Sequence, residues 1–271
     1  LTQLRYQNAL GTDVTVGMPK EHLWLAGADT AKSDVRFVAN MPTEEIFSAP
    51  KRDAVDGVLA ASKPLALNGN VIEGIRLTLE HGRIVGIHAD TNEDVLRQAI
   101  ETDEGAHYLG EIALVPVDSP IAQSGLLFYN TLFDENAACH FAFGQAYPAC
   151  VPGGDDLPED ELVQRGINVA STVHVDFMVG TEDLSIIGTT KDGREVALTA
   201  LEFDLLAMLV RRNNVALSRE ALLAGVWGYA YQGETRTVDV HIKRLREKLE
   251  GVSDKWSLKT VWGVGYKFEV L

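Results

Sequence analysis

Short runs in which apolar and polar residues alternate, broken by glycine and proline, fill the first ~190 residues. The alternation predicts strands over residues 14–18, 35–39, 72–80, 84–89 and 169–179, with a hairpin tip at His81-Gly82. Residues 92–102 read as a helix, because Val95, Leu96, Ala99 and Ile100 fall on one face. A β-prone run over 112–117 stops at Ser119-Pro120, and 151–158 is a Pro/Gly/Asp loop. No internal repeat or low-complexity tract interrupts this pattern.

Beyond about residue 188 the periodicity changes. Residues 189–198 read as a hairpin turning at Asp192-Gly193. Thr199 with Glu202 three residues later forms a capping box ahead of Leu201, Leu205, Met208 and Leu209. A second helix runs from Ser218 through Trp227 and ends at Gly228, a third spans 235–250, and a last hairpin over 257–270 turns around Gly263-Val264-Gly265. Strand, three helices and hairpin is the order of a winged helix-turn-helix. On the third helix Val238, Ile242, Leu245 and Leu249 share one face. Arg236, Lys243 and Arg244 lie opposite, with Arg246 and Lys248 toward the flanks. A basic row is also what a solvated face carries; the accompanying helices and hairpin favour a helix that enters a DNA groove.

Length and composition support two packed modules. The chain has 271 residues, of which 46% are hydrophobic and 23% charged, which excludes wholesale disorder. The net charge of -15 is unevenly spread: residues 1–194 carry 13 Lys/Arg against 29 Asp/Glu, while residues 195–271 carry 11 against 10. An acidic body repels nucleic acid and concentrates cations, so the two parts suit different partners. No run approaches the roughly 18 apolar residues of a membrane span, and no signal peptide opens the chain. The first residue is Leu1, not Met, so the true amino terminus is expected to lie upstream. Two cysteines cannot build a disulfide framework, and the expected location is a reducing cytoplasm.

Candidate chemistry gathers in the first module. Glu44 and Glu45 follow Met41-Pro42-Thr43, Glu111 follows Gly110, His140 ends Asp134-Glu135-Asn136-Ala137-Ala138-Cys139-His140, and His174 and Asp176 sit two apart on an expected strand. Residues two apart on a strand face the same side, so His174 and Asp176 can reach one ion. Imidazoles with carboxylates suit zinc, cobalt or manganese better than calcium. Taken alone, a His–x–Asp pair is also an ordinary structural pair, adjacent glutamates also mark a solvated helix start, and Tyr147 also reads as a packed aromatic. Cys139 and Cys150 read as small buried residues, and His22, His81, His88 and His107 have no comparable setting.

Longer motifs carry a resemblance. Asn40-Met41-Pro42-Thr43-Glu44-Glu45-Ile46-Phe47-Ser48-Ala49-Pro50 is followed by Thr102-Asp103-Glu104-Gly105-Ala106 and Leu109-Gly110-Glu111-Ile112-Ala113-Leu114-Val115-Pro116. Asn130-Thr131-Leu132-Phe133-Asp134-Glu135-Asn136, Tyr147-Pro148 and His174-Val175-Asp176-Phe177-Met178 complete the series. This order, over about residues 4–192, resembles the thermophilic metalloaminopeptidases of the aminopeptidase T / aminopeptidase S family. The resemblance implies a cytoplasmic exopeptidase with two divalent metal ions, zinc, cobalt or manganese, acting on peptide substrates. It implies Glu45, Glu111, His140, His174 and Asp176 as metal ligands and Tyr147 as catalytic, with Glu44 a further catalytic participant. Members of that family have an additional amino-terminal domain, and this chain begins near the start of their catalytic half.

A second resemblance covers about residues 190–271. It is carried by Leu198-Thr199-Ala200-Leu201-Glu202-Phe203-Asp204-Leu205-Leu206, Ser218-Arg219-Glu220-Ala221-Leu222-Leu223, Val226-Trp227-Gly228, Arg236-Thr237-Val238-Asp239-Val240-His241-Ile242, Leu245-Arg246-Glu247-Lys248-Leu249 and Gly263-Val264-Gly265-Tyr266. These residues resemble the OmpR/PhoB-type winged-helix effector domain of response regulators. Double-stranded DNA is the implied partner, met by Arg236, His241, Lys243, Arg244, Arg246 and Thr260, and the 229–234 loop is where such domains touch RNA polymerase. Two departures stand out: Trp262 occupies a wing position that is often Arg, leaving Lys259 or Lys267 to supply a cation, and the leading sheet is abbreviated to the 189–198 hairpin; no receiver domain is expected within these residues. The expectation is an α+β chain with a dinuclear metallopeptidase region over residues 1–190, a winged helix over 191–271, and a possible homodimer. The alternatives are a DNA-binding regulator whose peptidase half is inactive or a sensor, and a truncated or misassembled fusion.

Overall fold

A computed structural model describes residues 1–271 except 32, 39–42, 118, 197, 229–233 and 271. The expected strand residue Ala39, the motif residues Asn40-Met41-Pro42 and positions 229–233 of the polymerase loop therefore lie outside the described residues. The chain divides into two compact units, Leu1–Gly188 and Thr189–Leu271. No described helix is long and apolar enough to cross a membrane.

Two sheets share one core in the first unit. One runs in the order Arg83–His88, Arg76–Glu80, Val55–Ala60, Asp13–Gly17, Gln3–Gln7 and Ser185–Thr189. The other is antiparallel throughout, in the order His174–Met178, His140–Gly144, Leu109–Leu114, Ile46–Ser48 and Leu25–Ala26. Strand alternation sends Leu4, Tyr6, Val14, Val16, Leu77 and Leu79 of the first sheet inward against Ile112, Phe141, Phe143, Val175 and Phe177 of the second. Aromatic contacts bind this core: Tyr6 meets Phe141 edge-on at 5.1 Å between ring centroids, and Phe177 lies 6.5 Å from Phe141 and 6.4 Å from Phe143. The Glu93–Ile100 helix buries Leu96 and Ile100, as its apolar spacing requires.

Several expected boundaries shift for local reasons. The run 72–80 is two strands, Asn70–Ile72 and Arg76–Glu80. Between them Gly74 takes φ +67, where an added Cβ would meet the Asp90 side chain at 2.0 Å, and the Glu73 carbonyl accepts from Asp90 N at 2.8 Å. The strand expected over 169–179 is regular only over His174–Met178. Its approach is held instead by Asp103, whose carboxylate accepts from Thr172 N and Thr172 Oγ1, both at 2.8 Å. Burial opposes ionisation of Asp103, but these bonds and one from Ala106 N outweigh it and hold its pKa down to about 2. Residues 43–45 lead into the Ile46–Ser48 strand, so the glutamate pair marks no helix start.

The second unit follows its sequence pattern closely. Thr199 Oγ1 accepts from Glu202 N and the Glu202 carboxylate accepts from Thr199 N, which closes the capping box at the head of Ala200–Arg211. Ser218 caps Arg219–Trp227, and Arg236–Leu249 is the third helix. A three-stranded sheet, in the order Leu217–Ser218, Gly265–Val270 and Trp256–Val261, completes the winged helix. Leu205, Leu209, Leu222, Val238, Ile242, Leu245 and Phe268 fill its core.

Glu202 is buried and also accepts from Lys248 Nζ at 2.6 Å, so one carboxylate serves the cap and a helix–helix tie. Burial opposes its charge, but Lys248 and Thr199 hold its pKa below the ordinary value, so its contribution fades as pH falls through the folded pKa. Glu202→Ala should cost about 1–2 kcal/mol. Hydrogen exchange at neutral pH should then quicken across residues 200–211, and unchanged exchange there would contradict the assignment.

Candidate metal centre and nucleic-acid interface

Register brings the chemistry of the first unit to one face of the second sheet. Glu111 pairs with Ala142, and Ala142 pairs with Asp176. One step along, Phe47 pairs with Ala113, and Ala113 with His140; Gly144 pairs with His174. Directly opposed residues share a face, and so do residues two apart on a strand. Glu111, His140, His174 and Asp176 therefore stand together, with only Ala113, Ala142 and Gly144 between them. Phe141, Phe143 and Phe177 point the other way, into the core, while Phe47 lies on the site face. Gly144 sits at φ +103 where a Cβ would lie 2.0 Å from Val173 O, so no larger residue fits beside His174.

Glu45 reaches the same place from the segment before Ile46–Ser48. That segment is anchored by Asn136, whose Oδ1 accepts from Glu44 N at 2.7 Å while its Nδ2 donates to Leu132 O. Asp134 shapes the preceding turn by accepting from Phe128 N and Asn130 N. The repeated Asn and Asp of the 130–136 motif thus build a scaffold for the acids.

Two triads result. Glu45, Glu111 and His140 offer ligand atoms that lie within 4.8 Å of one another, as do Glu111, His174 and Asp176. Glu111 belongs to both. His140 Nε2 is 2.9 Å from Glu45 Oε2 and 3.5 Å from Glu111 Oε1; His174 Nε2 is 3.4 Å from Asp176 Oδ1 and 3.7 Å from Glu111 Oε2. Yet Glu45 Oε2, His140 Nε2 and Asp176 Oδ1 are buried without a hydrogen-bond partner of good geometry. Buried polar atoms are almost always satisfied, so three orphans aimed at one space fit a cation there. Both imidazoles are set for ligation. His140 Nδ1 lies 3.1 Å from Ala138 O and His174 Nδ1 lies 2.6 Å from Gln145 O. A carbonyl can only accept, so each Nδ1 carries the proton and, in the neutral ring, each Nε2 presents its lone pair to the acids.

Electrostatics tell the same story. Burial raises the Glu111 pKa, with His140 opposing. Desolvation disfavours charged His140 and His174, but contacts with Glu111 and Glu45, and with Asp176, outweigh it; His140 is raised well above its ordinary value and His174 to about 9. Asp176 is held down, against burial, by His174.

Glu135 is the acid that sequence reading passed over. It sits on a single 3-10 turn, Glu135–Ala137, and burial together with the charges of Asp176, Glu45 and Glu111 pushes its pKa up to about 9. Its one signal was its place within the Asn130–Asn136 motif. Glu44 lies beside the triads and belongs to neither; its Oε2 is buried and unpartnered. Tyr147 is half-exposed rather than packed away, with its ring 5.2 Å from that of His174 and 5.7 Å from that of Phe47. Burial and the nearby Glu111 and Asp176 charges lift its hydroxyl to about 12, so it stays a proton donor at neutral pH. Cys139 and Cys150 are both free thiols. Burial raises both, Cys150 to about 12, which leaves them poor nucleophiles.

In the second unit, the candidate DNA residues divide. Arg236, Lys243 and Arg244 are exposed on the Arg236–Leu249 helix. Arg246 instead donates to Leu258 O at 2.7 Å and Thr260 Oγ1 at 2.9 Å, which ties helix to hairpin. His241 is half-buried, its ring edge-on to Trp227 at 5.0 Å. Lys259 and Lys267 both pair with Glu269, at 3.2 Å and 2.6 Å.

Comparison with known proteins adds a family to this geometry. The family described as thermophilic metalloprotease (M29) matches residues 1–200, and the one described as transcriptional regulatory protein, C terminal, matches residues 193–268. Aminopeptidase AmpS of Bacillus subtilis is 53% identical over 191 residues, covering 70% of this chain and 46% of its own length. Aminopeptidase T of Thermus aquaticus is 49% identical over 188 residues, covering 69% and 45%. The solved structure of wild-type AmpT from Thermus thermophilus superposes with a TM-score of 0.68 at 47% identity, covering 73% of this chain and 48% of that one. The transcriptional regulatory protein ResD of Bacillus subtilis is 54% identical over 83 residues, 30% of this chain and 35% of its own. The chain thus spans about half the length of the aminopeptidases it matches. With its paired His/carboxylate triads on one sheet face, the chain belongs to the thermophilic metalloprotease (M29) family and carries a winged-helix domain of the transcriptional-regulator type after it.

Proposed function

We propose that the chain is a metal-dependent aminopeptidase that releases amino-terminal residues from peptides, with a carboxy-terminal module that binds double-stranded DNA. The observation that carries the first part is the convergence of two triads through Glu111 with orphaned ligand atoms between them. Glu45, Glu111 and His140 would hold one divalent ion; Glu111, His174 and Asp176 would hold a second. Zinc, cobalt or manganese fits this mixture of nitrogen and oxygen donors. Such ions supply Lewis acidity, which makes water nucleophilic at neutral pH and polarises a peptide carbonyl.

The chain's own residues do the rest. Ala138 O and Gln145 O keep the two imidazoles oriented. Tyr147, half-exposed beside His174, is placed to donate its hydroxyl proton in a hydrogen bond to the oxyanion that forms from the scissile carbonyl. Glu135 and Glu44 are the remaining acids at hand; Glu135, with its raised pKa, holds a proton at neutral pH and can give it to a departing amine. For DNA, Arg236, Lys243 and Arg244 would meet phosphates or base edges, Arg246 with Thr260 would fix the hairpin beside them, and His241 would be a lesser contact. The two free cysteines suit a reducing cytoplasm. Self-association and contact with RNA polymerase are further expectations of this reading.

Metal-stripped protein should regain hydrolysis of aminoacyl substrates when zinc, cobalt or manganese is added. Glu111→Gln and His174→Ala should each lower that activity by at least about 10²-fold and leave duplex binding unchanged. Retained peptidase activity in both variants would refute the site; metal binding with no turnover would favour a sensor.

A pH dependence follows from His174. It must be neutral to ligate, yet in the metal-free protein it titrates at about 9. Apparent affinity for zinc should therefore rise with pH up to about 9, by about tenfold per unit for each proton displaced. Competition with a zinc indicator at several pH values would measure it, and a flat profile would contradict the assignment.

A further inference from the structure

Tyr147 owes the position of its backbone to one set of contacts and that of its ring to another. Its carbonyl accepts from Cys150 N at 3.1 Å across the Pro148–Cys150 turn, and Ala146 N, just before it, donates to Asn168 O at 2.7 Å. These bonds fix where the side chain starts, not where it points. Tyr147 is half-exposed, and a side chain so lightly enclosed has more than one rotamer open to it unless a neighbour selects. Two rings flank it: His174 at 5.2 Å and Phe47 at 5.7 Å between centroids, tilted by 56° and 59°.

Phe47 is firmly mounted for this role. Its strand, Ile46–Ser48, is paired on both sides, with Phe47 opposite Ala113 on one neighbour and Leu25 on the other. Register puts it on the face that carries Glu111 and His140, with Ala113 between Phe47 and His140. Two strand spacings, about 10 Å, separate it from His140, so it stands at the rim of the candidate metal centre and outside the ligand set. With Leu25 and Leu157 it packs against a small core that includes Ala146, Cys150 and Val151. That core therefore seats both Phe47 and the turn that carries Tyr147. A phenyl ring has no oxygen or nitrogen, so it can orient the phenol without engaging its hydroxyl.

We propose that Phe47 is a positioning residue for Tyr147: its ring holds the phenol beside His174, so that the hydroxyl meets the oxyanion as it forms. The inference rests on the reading of the first unit as an aminopeptidase with Tyr147 as its oxyanion donor. A donor already in place stabilises the transition state without reorganising, so the contribution of Phe47 falls on the rate and not on affinity for substrate or metal.

The test uses the full chain loaded with zinc and measures hydrolysis of aminoacyl substrates by wild type, Phe47→Ala, Phe47→Leu, Phe47→Tyr, Tyr147→Phe and the Phe47→Ala, Tyr147→Phe double variant. Phe47→Ala should lower kcat about 10-fold with KM and zinc affinity nearly unchanged. Phe47→Leu still fills the small core, so it should keep a near-wild-type Tm and yet show most of that loss; Phe47→Tyr should restore the rate. Tyr147→Phe should lower kcat about 10²-fold. Adding Phe47→Ala to it should cost less than about twofold more, because the hydroxyl through which Phe47 acts is already gone. Independently of turnover, the aromatic NMR signals of Tyr147 in tyrosine-labelled protein, assigned with Tyr147→Phe, should move in Phe47→Ala. An equal cost of Phe47→Ala in both backgrounds, a loss carried by KM, full activity in Phe47→Leu or unmoved Tyr147 signals would each overturn the positioning role and leave the aminopeptidase reading standing. A wild type that hydrolyses no substrate with any added metal would overturn both.

Discussion

Carboxylates and imidazoles packed this tightly in a poorly hydrated site cannot all hold their ordinary charge states. Glu45, Glu111, Asp176 and Glu135 face His140 and His174, and burial raises Glu111 and Glu135 while the imidazoles are drawn toward protonation. Protons are one way to balance such a cluster; divalent cations are the other. The orphaned Glu45 Oε2, His140 Nε2 and Asp176 Oδ1 show that the protein's own hydrogen bonds do not complete it. Much of the first unit can be understood as the frame that keeps these groups together despite their mutual cost.

The frame works because a strand has two faces. Phe141, Phe143, Val175 and Phe177 anchor one face of the second sheet in the core, and the alternate positions His140, His174 and Asp176 are thereby forced to the other. A register slip of one residue would exchange the two sets, so the aromatic core also specifies the site. Small residues complete the arrangement. Ala142 lies between Glu111 and Asp176, and Gly144 lies opposite His174, where a side chain would collide with Val173 O. The winged helix depends on a comparable economy: Glu202, Arg246 and Asp239 each tie two elements, while Arg236, Lys243 and Arg244 stay exposed, Lys243 3.7 Å from Glu247.

Legibility in the sequence followed how local each signal was. The capping box at Thr199 and Glu202, the Ser218 cap and the apolar stripe of the third helix are short-range patterns, and the structure contains them nearly residue for residue. His174 and Asp176 were readable as a pair because two-residue spacing on a strand fixes a shared face. That Glu111 would stand in line with Asp176, across Ala142, and 3.7 Å from His174 depended on strand register between distant segments, which spacing alone does not reveal; the family motifs supplied that link. Glu135 stayed hidden because an acid on a 3-10 turn has no periodicity to mark its direction. The break at Gly74 and the irregular approach to His174 were missed for a related reason: each is set by a tertiary partner, Asp90 in one case and Asp103 in the other.

The most direct test of the account is a spectroscopic titration of the metal-stripped chain with cobalt(II), read by the visible absorption of the bound ion. Two sites joined through Glu111 predict saturation at two ions per chain, and loss of binding at both sites in Glu111→Ala. Saturation at a single ion, or a Glu111→Ala variant that still binds two, would contradict a shared dinuclear centre.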